Sequence, residues 1–125
     1  MCGICGIKII DGHVDLSLNK SEFIKFNNNL FHRGPDFQDV LFLENISFGS
    51  TRLKILDLDD RSNMPMRDEN NIILFNGEIY NYRDLKKDLE KKGEKFKTTS
   101  DTEVLLKMLN CYGEKAFSMM DGMWV

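Results

Sequence analysis

The 125-residue chain has no apolar run approaching the roughly 20 residues that a membrane-spanning helix needs. It has no excess of basic residues either: 17 Lys and Arg stand against 20 Asp and Glu, a formal charge of −3. The electrostatic footprint of a nucleic-acid binder is therefore missing. Its first residues lack a basic segment and Lys8 interrupts their apolar stretch, so no secretory signal is expected. Three cysteines (Cys2, Cys5 and Cys111) build no even disulfide framework, and a reducing, cytoplasmic setting is the expectation. Cys2-x-x-Cys5 has no second cysteine pair, and His13 and His32 are not at ligand spacing, so no metal site is expected. Repeats and low-complexity linkers are absent. What remains is an ordinary globular composition, 42% hydrophobic and 30% charged. The length suits one domain that buries about two-thirds of its unfolded surface.

Local patterns divide the chain into short elements. Residues Gly3 to Ile10 read as a buried strand that turns at Asp11-Gly12. Ser21 to Leu30 reads as a helix with Phe23, Phe26 and Leu30 on one side. Val40 to Leu43 and Ile46 to Phe48 read as a hairpin, and Leu53 to Leu58 alternates in the manner of an extended segment. Ile72 to Phe75 is a fully apolar strand. Asn76-Gly77 after it carries the strongest short-range hairpin signal. Asn81 is placed to cap a helix over Tyr82 to Lys92, with Gly93 at its end. Ser100-x-x-Glu103 has capping-box spacing before the apolar run of Val104, Leu105, Met108 and Leu109. Ala116 to Met120 reads as a short helix, and Met123 to Val125 as a strand just beginning, which suggests a domain cut short.

The second residue is a cysteine. Removal of Met1 would put a thiol and a free α-amine on one residue, a nucleophile with its own base attached. The plainer alternative is a small buried side chain at the start of a strand. Other polar residues fall at strand ends or helix starts: Arg33 and Asp36 around Gly34-Pro35, Arg52 after a strand, Asn76-Gly77, and Asp101 at a helix start. Each has a structural alternative. Arg52 could lie on the surface, Asn76-Gly77 could be a type I′ turn, and Asp101 could serve a helix dipole.

Taken together, Cys2-Gly3-Ile4, His32-Arg33-Gly34-Pro35-Asp36, Arg52 to Asp57, Pro65-Met66, Asn76-Gly77-Glu78-Ile79-Tyr80-Asn81 and Ser100-Asp101-Thr102-Glu103 resemble a known family. It is the N-terminal-nucleophile (class II) glutamine amidotransferase domain, in its asparagine synthetase branch. The resemblance covers nearly the whole chain. It implies an α+β sandwich of two antiparallel sheets flanked by helices (αββα), here C-terminally incomplete over residues 1–125, with the ATP-pyrophosphatase synthetase domain absent. It also implies roles. Cys2 would attack the side-chain amide of L-glutamine to form a thioester, with its α-amine as base. Asn76 and the Gly77 N–H would form an oxyanion hole. Arg52 would clamp the substrate carboxylate in a bidentate fork, and Glu78 and Asp101 would hold its ammonium. The backbone around Leu53, Ile55 and Leu56 would line the slot. Residues 32–36 would buttress the site. Ser50 and Met64 stand where this family more often has His and Gln; neither is expected to carry the glutamine chemistry.

The resemblance implies no cofactor in this domain, with ATP and Mg confined to the missing synthetase domain. That domain would receive ammonia in cis or in trans, and the final acceptor, aspartate or a sugar acid, is not encoded here. Nucleic acid and membrane are not expected partners, and homodimerisation stays open. Two other readings remain: a non-catalytic truncated module that binds glutamine or a partner, and a thiol redox protein resting on Cys2-x-x-Cys5 alone.

Overall fold

The computed structural model describes residues 2–9 and 16–125, with the backbone alone over residues 16–19. Met1, Ile10, the Asp11-Gly12 turn and His13 lie outside the described residues. The first strand, β1 (Gly3–Lys8), is followed by helix α1 (Leu16–Asn28), then β2 (Phe37–Phe42) and β3 (Ile46–Arg52). Short strands β4 (Met66–Arg67), β5 (Ile72–Ile73) and β6 (Gly77–Ile79) come next, then α2 (Tyr82–Lys91), α3 (Asp101–Tyr112) and β7 (Gly122–Trp124). The result is a mixed α/β arrangement of small antiparallel sheets and helices: β1-β3-β2, β4-β5 and β6-β7. No helix among the described residues is long and apolar enough to cross a membrane.

The main core gathers Met64, Met66, Ile73, Phe75 and Ile79 from the strands and their flanks. Leu85 and Leu89 of α2 join them from one helical face, since residues four apart stack on the same side. Helix α3 is the central element: every residue from Asp101 to Leu106 is buried. Val104, Leu105, Leu106 and Met108 fix the helix inside the core, and its first turn carries the buried polar groups Asp101, Thr102 and Glu103 to the edge of that core. Two end signals act as the sequence suggests. Ser100 Oγ accepts the Glu103 N–H at 3.3 Å. Gly93, at φ +96°, ends α2 in a left-handed conformation open to glycine, and Glu94 N–H returns to the Leu89 carbonyl at 3.1 Å. The Glu103 side chain does not complete the box. Its carboxylate turns to the N–H groups of Lys97 and Thr98 instead.

Several expectations are corrected. Asn76-Gly77 is not a hairpin turn, because the apolar segments on its two sides pair with different partners: β5 with β4, and β6 with β7. Leu53 to Leu58 forms no strand. Helix α1 starts before Ser21, and among its described side chains the buried ones are Phe23 and Asn27, while Phe26 is half exposed. Asn27 decides that face: its amide bonds Cys5 Sγ and the Ser50 carbonyl on the underlying sheet. Asn81 does not cap α2; its side chain bridges the Met119 carbonyl and the Asp121 N–H, both at 3.0 Å, tying the helix start to β7. The segment expected as a helix at Ala116 to Met120 is a 3₁₀ run, Gly113–Met119. Cys111 is exposed, its sulfur 3.8 Å from the Glu94 carboxylate.

Candidate active site

Antiparallel pairing of β1 with β3 sets Gly3 opposite Thr51, so Cys2 arrives at the end of β3 where Arg52 and Leu53 follow. The Cys2 sulfur sits against the Leu53 backbone, accepting its N–H at 3.4 Å and lying 3.8 Å from its carbonyl. Residues 32–36 brace this corner. Arg33 Nε donates to the Cys2 carbonyl at 3.2 Å, and Asp36 accepts the Lys54 N–H at 2.8 Å. The second cysteine of the C-x-x-C pair turns elsewhere, its sulfur on Asn27 Oδ1 at 3.5 Å. Side chains three apart on extended backbone face opposite ways, so the two thiols serve different surroundings.

Arg52 is 4% exposed, not a surface residue. Its guanidinium donates to the carbonyls of Leu56, Asp57 and Asp59 and to Asn63 Oδ1. This explains why the alternating Leu53 to Leu58 segment is no strand. A buried cation needs acceptors, and the chain bends around it to supply them. Those bonds engage both terminal nitrogens, so the open bidentate fork expected from the sequence is not present. A carboxylate in the cleft would meet the guanidinium charge, and a two-bond contact would displace loop carbonyls.

The opposite wall comes from β6 and the start of α3. Val125 N–H bonds the Asn76 carbonyl and Tyr80 N–H bonds the Asp121 carbonyl, which makes Gly77 and Ile79 the non-hydrogen-bonded positions against β7. Their N–H groups therefore point away from β7. Ile79 gives its own to Asp101 Oδ2 at 3.1 Å, and Gly77 presents its N–H along the same edge. Gly77 tolerates no side chain, since a Cβ there would lie 2.3 Å from the Met123 carbonyl oxygen. Asn76 is 8% exposed, and its Oδ1 has no hydrogen-bond partner among the described residues. Burial pushes the Asp101 carboxyl above the ordinary carboxylate range, the Glu78 charge adds to this, and the N–H donors of Ile79 and Thr102 only partly offset it.

These groups share one cleft of about 190 Å³. Of the residues expected at the site, Cys2, Arg52, Leu53, Ile55, Leu56, Gly77, Glu78 and Asp101 line it, and Asn76 lies in the chain directly beside Gly77. No ion pair among the described residues includes Arg52, Glu78 or Asp101. The cleft thus holds one cation and two anions without salt-bridge partners, beside a thiol and a free N–H edge. Such a set fits a small zwitterion whose far end reaches the sulfur. Sequence reasoning missed Ser62, Met64, Phe75, Ser100, Thr102 and Met123 as lining residues. Met64 in particular stands in the cleft wall, and Ser50 Oγ bonds its carbonyl, so two positions set aside from the chemistry support the site together. The Ser62 hydroxyl lies toward the Asp57 carboxylate without completing a hydrogen bond. No local pattern marks them as cleft residues, the capping signal at Ser100 included; they meet only through the fold.

The glutamine amidotransferase domain family matches residues 1–125. Asparagine synthetase [glutamine-hydrolyzing] 1 of Bacillus subtilis is 41% identical over 127 residues, covering 99% of this chain and 20% of that protein. Asparagine synthetase [glutamine-hydrolyzing] 2 of Oryza sativa subsp. japonica is 37% identical, covering 97% of this chain and 20% of that protein. A putative asparagine synthetase [glutamine-hydrolyzing] 2 of Methanocaldococcus jannaschii is 37% identical, over 99% of this chain and 27% of its own. The chain thus spans about a fifth to a quarter of the length of these curated relatives.

Proposed function

Because this chain belongs to the glutamine amidotransferase domain family, we propose that its cleft hydrolyses L-glutamine to glutamate and ammonia through a Cys2 thioester. The observation that carries this reading is the shared cleft: the Cys2 sulfur and the free edge at Gly77 face one cavity whose charges suit an amino acid. With Met1 removed, the α-amine of Cys2 takes the thiol proton as sulfur attacks the amide carbon. The oxyanion so formed is held by the Asn76 side-chain amide and the Gly77 N–H. The protonated amine then gives its proton to the departing nitrogen, which leaves as ammonia. Water attacks the thioester, its proton passes to the amine, and glutamate departs with the thiol restored. At the other end of the substrate, Arg52 faces the α-carboxylate, and Asp101 with Glu78 faces the ammonium. Neutral donors suit the oxyanion position, because they stabilise developing charge without trapping the carboxylate product. These steps require no metal or cofactor.

On the same reading the fold is the N-terminal-nucleophile αββα sandwich. The ammonia serves a synthetase domain in cis or in trans, where ATP and Mg²⁺ would act. The test combines intact mass, which shows whether Met1 is gone, with ammonia release from glutamine. Trimmed, folded protein that releases none sinks the proposal; if it still binds glutamine, the cleft is a binding module.

Two further outcomes are expected. Arg52→Lys supplies three donors where the loop and the substrate use more, and an ammonium lacks the planar reach of guanidinium. It should raise KM for glutamine about tenfold or more, and lower stability by roughly 1–3 kcal/mol as carbonyls of the 56–63 loop lose their donors. Steady-state kinetics and thermal denaturation check both. The second outcome follows from Asp101, whose carboxyl is raised in the free protein. As pH falls through that raised value the charge facing the substrate ammonium is lost, so KM climbs earlier than an ordinary carboxylate would allow. For the fold the sign is opposite: the folded state binds this proton more tightly than the unfolded state, so ionised Asp101 lowers stability at neutral pH. Asp101→Asn should flatten the acid limb of the KM profile and raise KM at pH 7.

A further inference from the structure

Asp57 has the only positive φ among the described non-glycine residues, at +51°. L-residues rarely adopt this left-handed conformation without a local reason. The reason is visible on both sides of the residue. Its carbonyl accepts an N–H of the buried Arg52 guanidinium. Its carboxylate crosses to the segment before α3, taking the Thr99 N–H at 2.6 Å and the Thr99 hydroxyl at 3.1 Å, while its other oxygen accepts the Asp59 N–H at 3.1 Å. From the far side Glu103 holds the preceding residues, accepting the Lys97 N–H at 2.9 Å and the Thr98 N–H and hydroxyl at 2.6 Å. Two carboxylates thus clasp residues 97–99, directly ahead of Ser100 and Asp101.

We infer that Asp57 is a positioning residue that sets Arg52 against Asp101, and so builds the part of the cleft that recognises an amino acid by its α-carboxylate and α-ammonium together. The inference rests on the glutaminase reading and deepens it. Asp57 reaches both ends of the α-clamp, one through its main chain and one through its side chain, and no other described residue bonds both Arg52 and the 97–100 segment. Burial alone would push its carboxyl up, but the N–H donors of Thr99 and Asp59 outweigh that and hold it at about 2. The clasp therefore stays charged at any pH where the protein would be assayed.

The test measures hydrolysis by the full chain of L-glutamine and of glutaramate, which keeps the amide and one carboxylate but lacks the α-ammonium. Asp57→Ala should raise KM for L-glutamine about tenfold with kcat changed less than about threefold, because the sulfur and oxyanion groups stay in place. The preference for L-glutamine over glutaramate should shrink by a similar factor. Asp57→Asn keeps the tolerance for positive φ and part of the acceptor set, and should fall between wild type and Asp57→Ala; it also serves if the alanine variant fails to fold. Equal losses on both substrates, or an unchanged KM in folded variants, overturn the inference. Wild-type protein that releases no ammonia from glutamine refutes the glutaminase reading instead, so the two failures are distinct.

Discussion

Cys2→Ala is expected to lower glutamine hydrolysis by at least about 10⁴-fold, because the sulfur forms the bond that divides a difficult amide hydrolysis into two easier steps. The fold should survive. Cys2 is only half-buried at the margin of the core, alanine keeps its Cβ there, and its sulfur's hydrogen bonds among the described residues go to one backbone unit, that of Leu53. Water can replace a hydrogen bond at a partly open cleft wall, so the stability change should stay below about 1 kcal/mol. Glutamine should still bind, since Arg52, Glu78 and Asp101 remain. Ammonia release by the alanine variant at the wild-type rate would exclude the covalent route. Calorimetric binding in the same preparation shows whether the cleft is otherwise intact.

Asn76→Ala is expected to cut kcat by about 10²–10³ while KM moves little, because an oxyanion donor acts chiefly on the charge that develops in the transition state. The more diagnostic half concerns stability. A buried polar residue replaced by alanine normally destabilises, since its partner is left unsatisfied. Here the Asn76 Oδ1 has no partner among the described residues to lose. An unsatisfied buried acceptor costs roughly 1–3 kcal/mol, and its removal offsets the lost packing. The variant should melt at or above the wild-type temperature while turning over far more slowly. Residues kept for chemistry at the expense of stability behave this way. A parallel loss of activity and melting temperature would point to a structural asparagine and withdraw the oxyanion role.

Much of the site was legible before any fold was known, and the parts that were not share a cause. The capping serine at Ser100 and the helix-ending Gly93 depend on residues within a turn or two, so local chemistry suffices to read them. The Asn76-Gly77 dipeptide has an equally strong local signal, but the signal misleads. Its flanking strands find partners elsewhere in the chain, and no propensity records which strand pairs with which. The Leu53 to Leu58 segment alternates like a strand, yet demand for acceptors from one buried guanidinium outweighs that pattern. Helix α1 turned its Asn27 inward ahead of Phe26 for a similar reason, because the sheet beneath offered a carbonyl and a thiol to bond.

Residue order alone settled which chemical groups this protein owns: a thiol one residue from its start, neutral donors at 76 and 77, one cation and two carboxylates, each beside a helix or strand end that local rules could place. Residue order left undecided that these groups would meet, that the Arg52 fork would be occupied by its own loop, and that Asp57 would reach across to Thr99. Local structure draws on neighbours a few residues apart, whereas this cleft joins groups as far apart in the chain as Cys2 and Met123, brought together by strand pairing and by the need of buried polar atoms for partners.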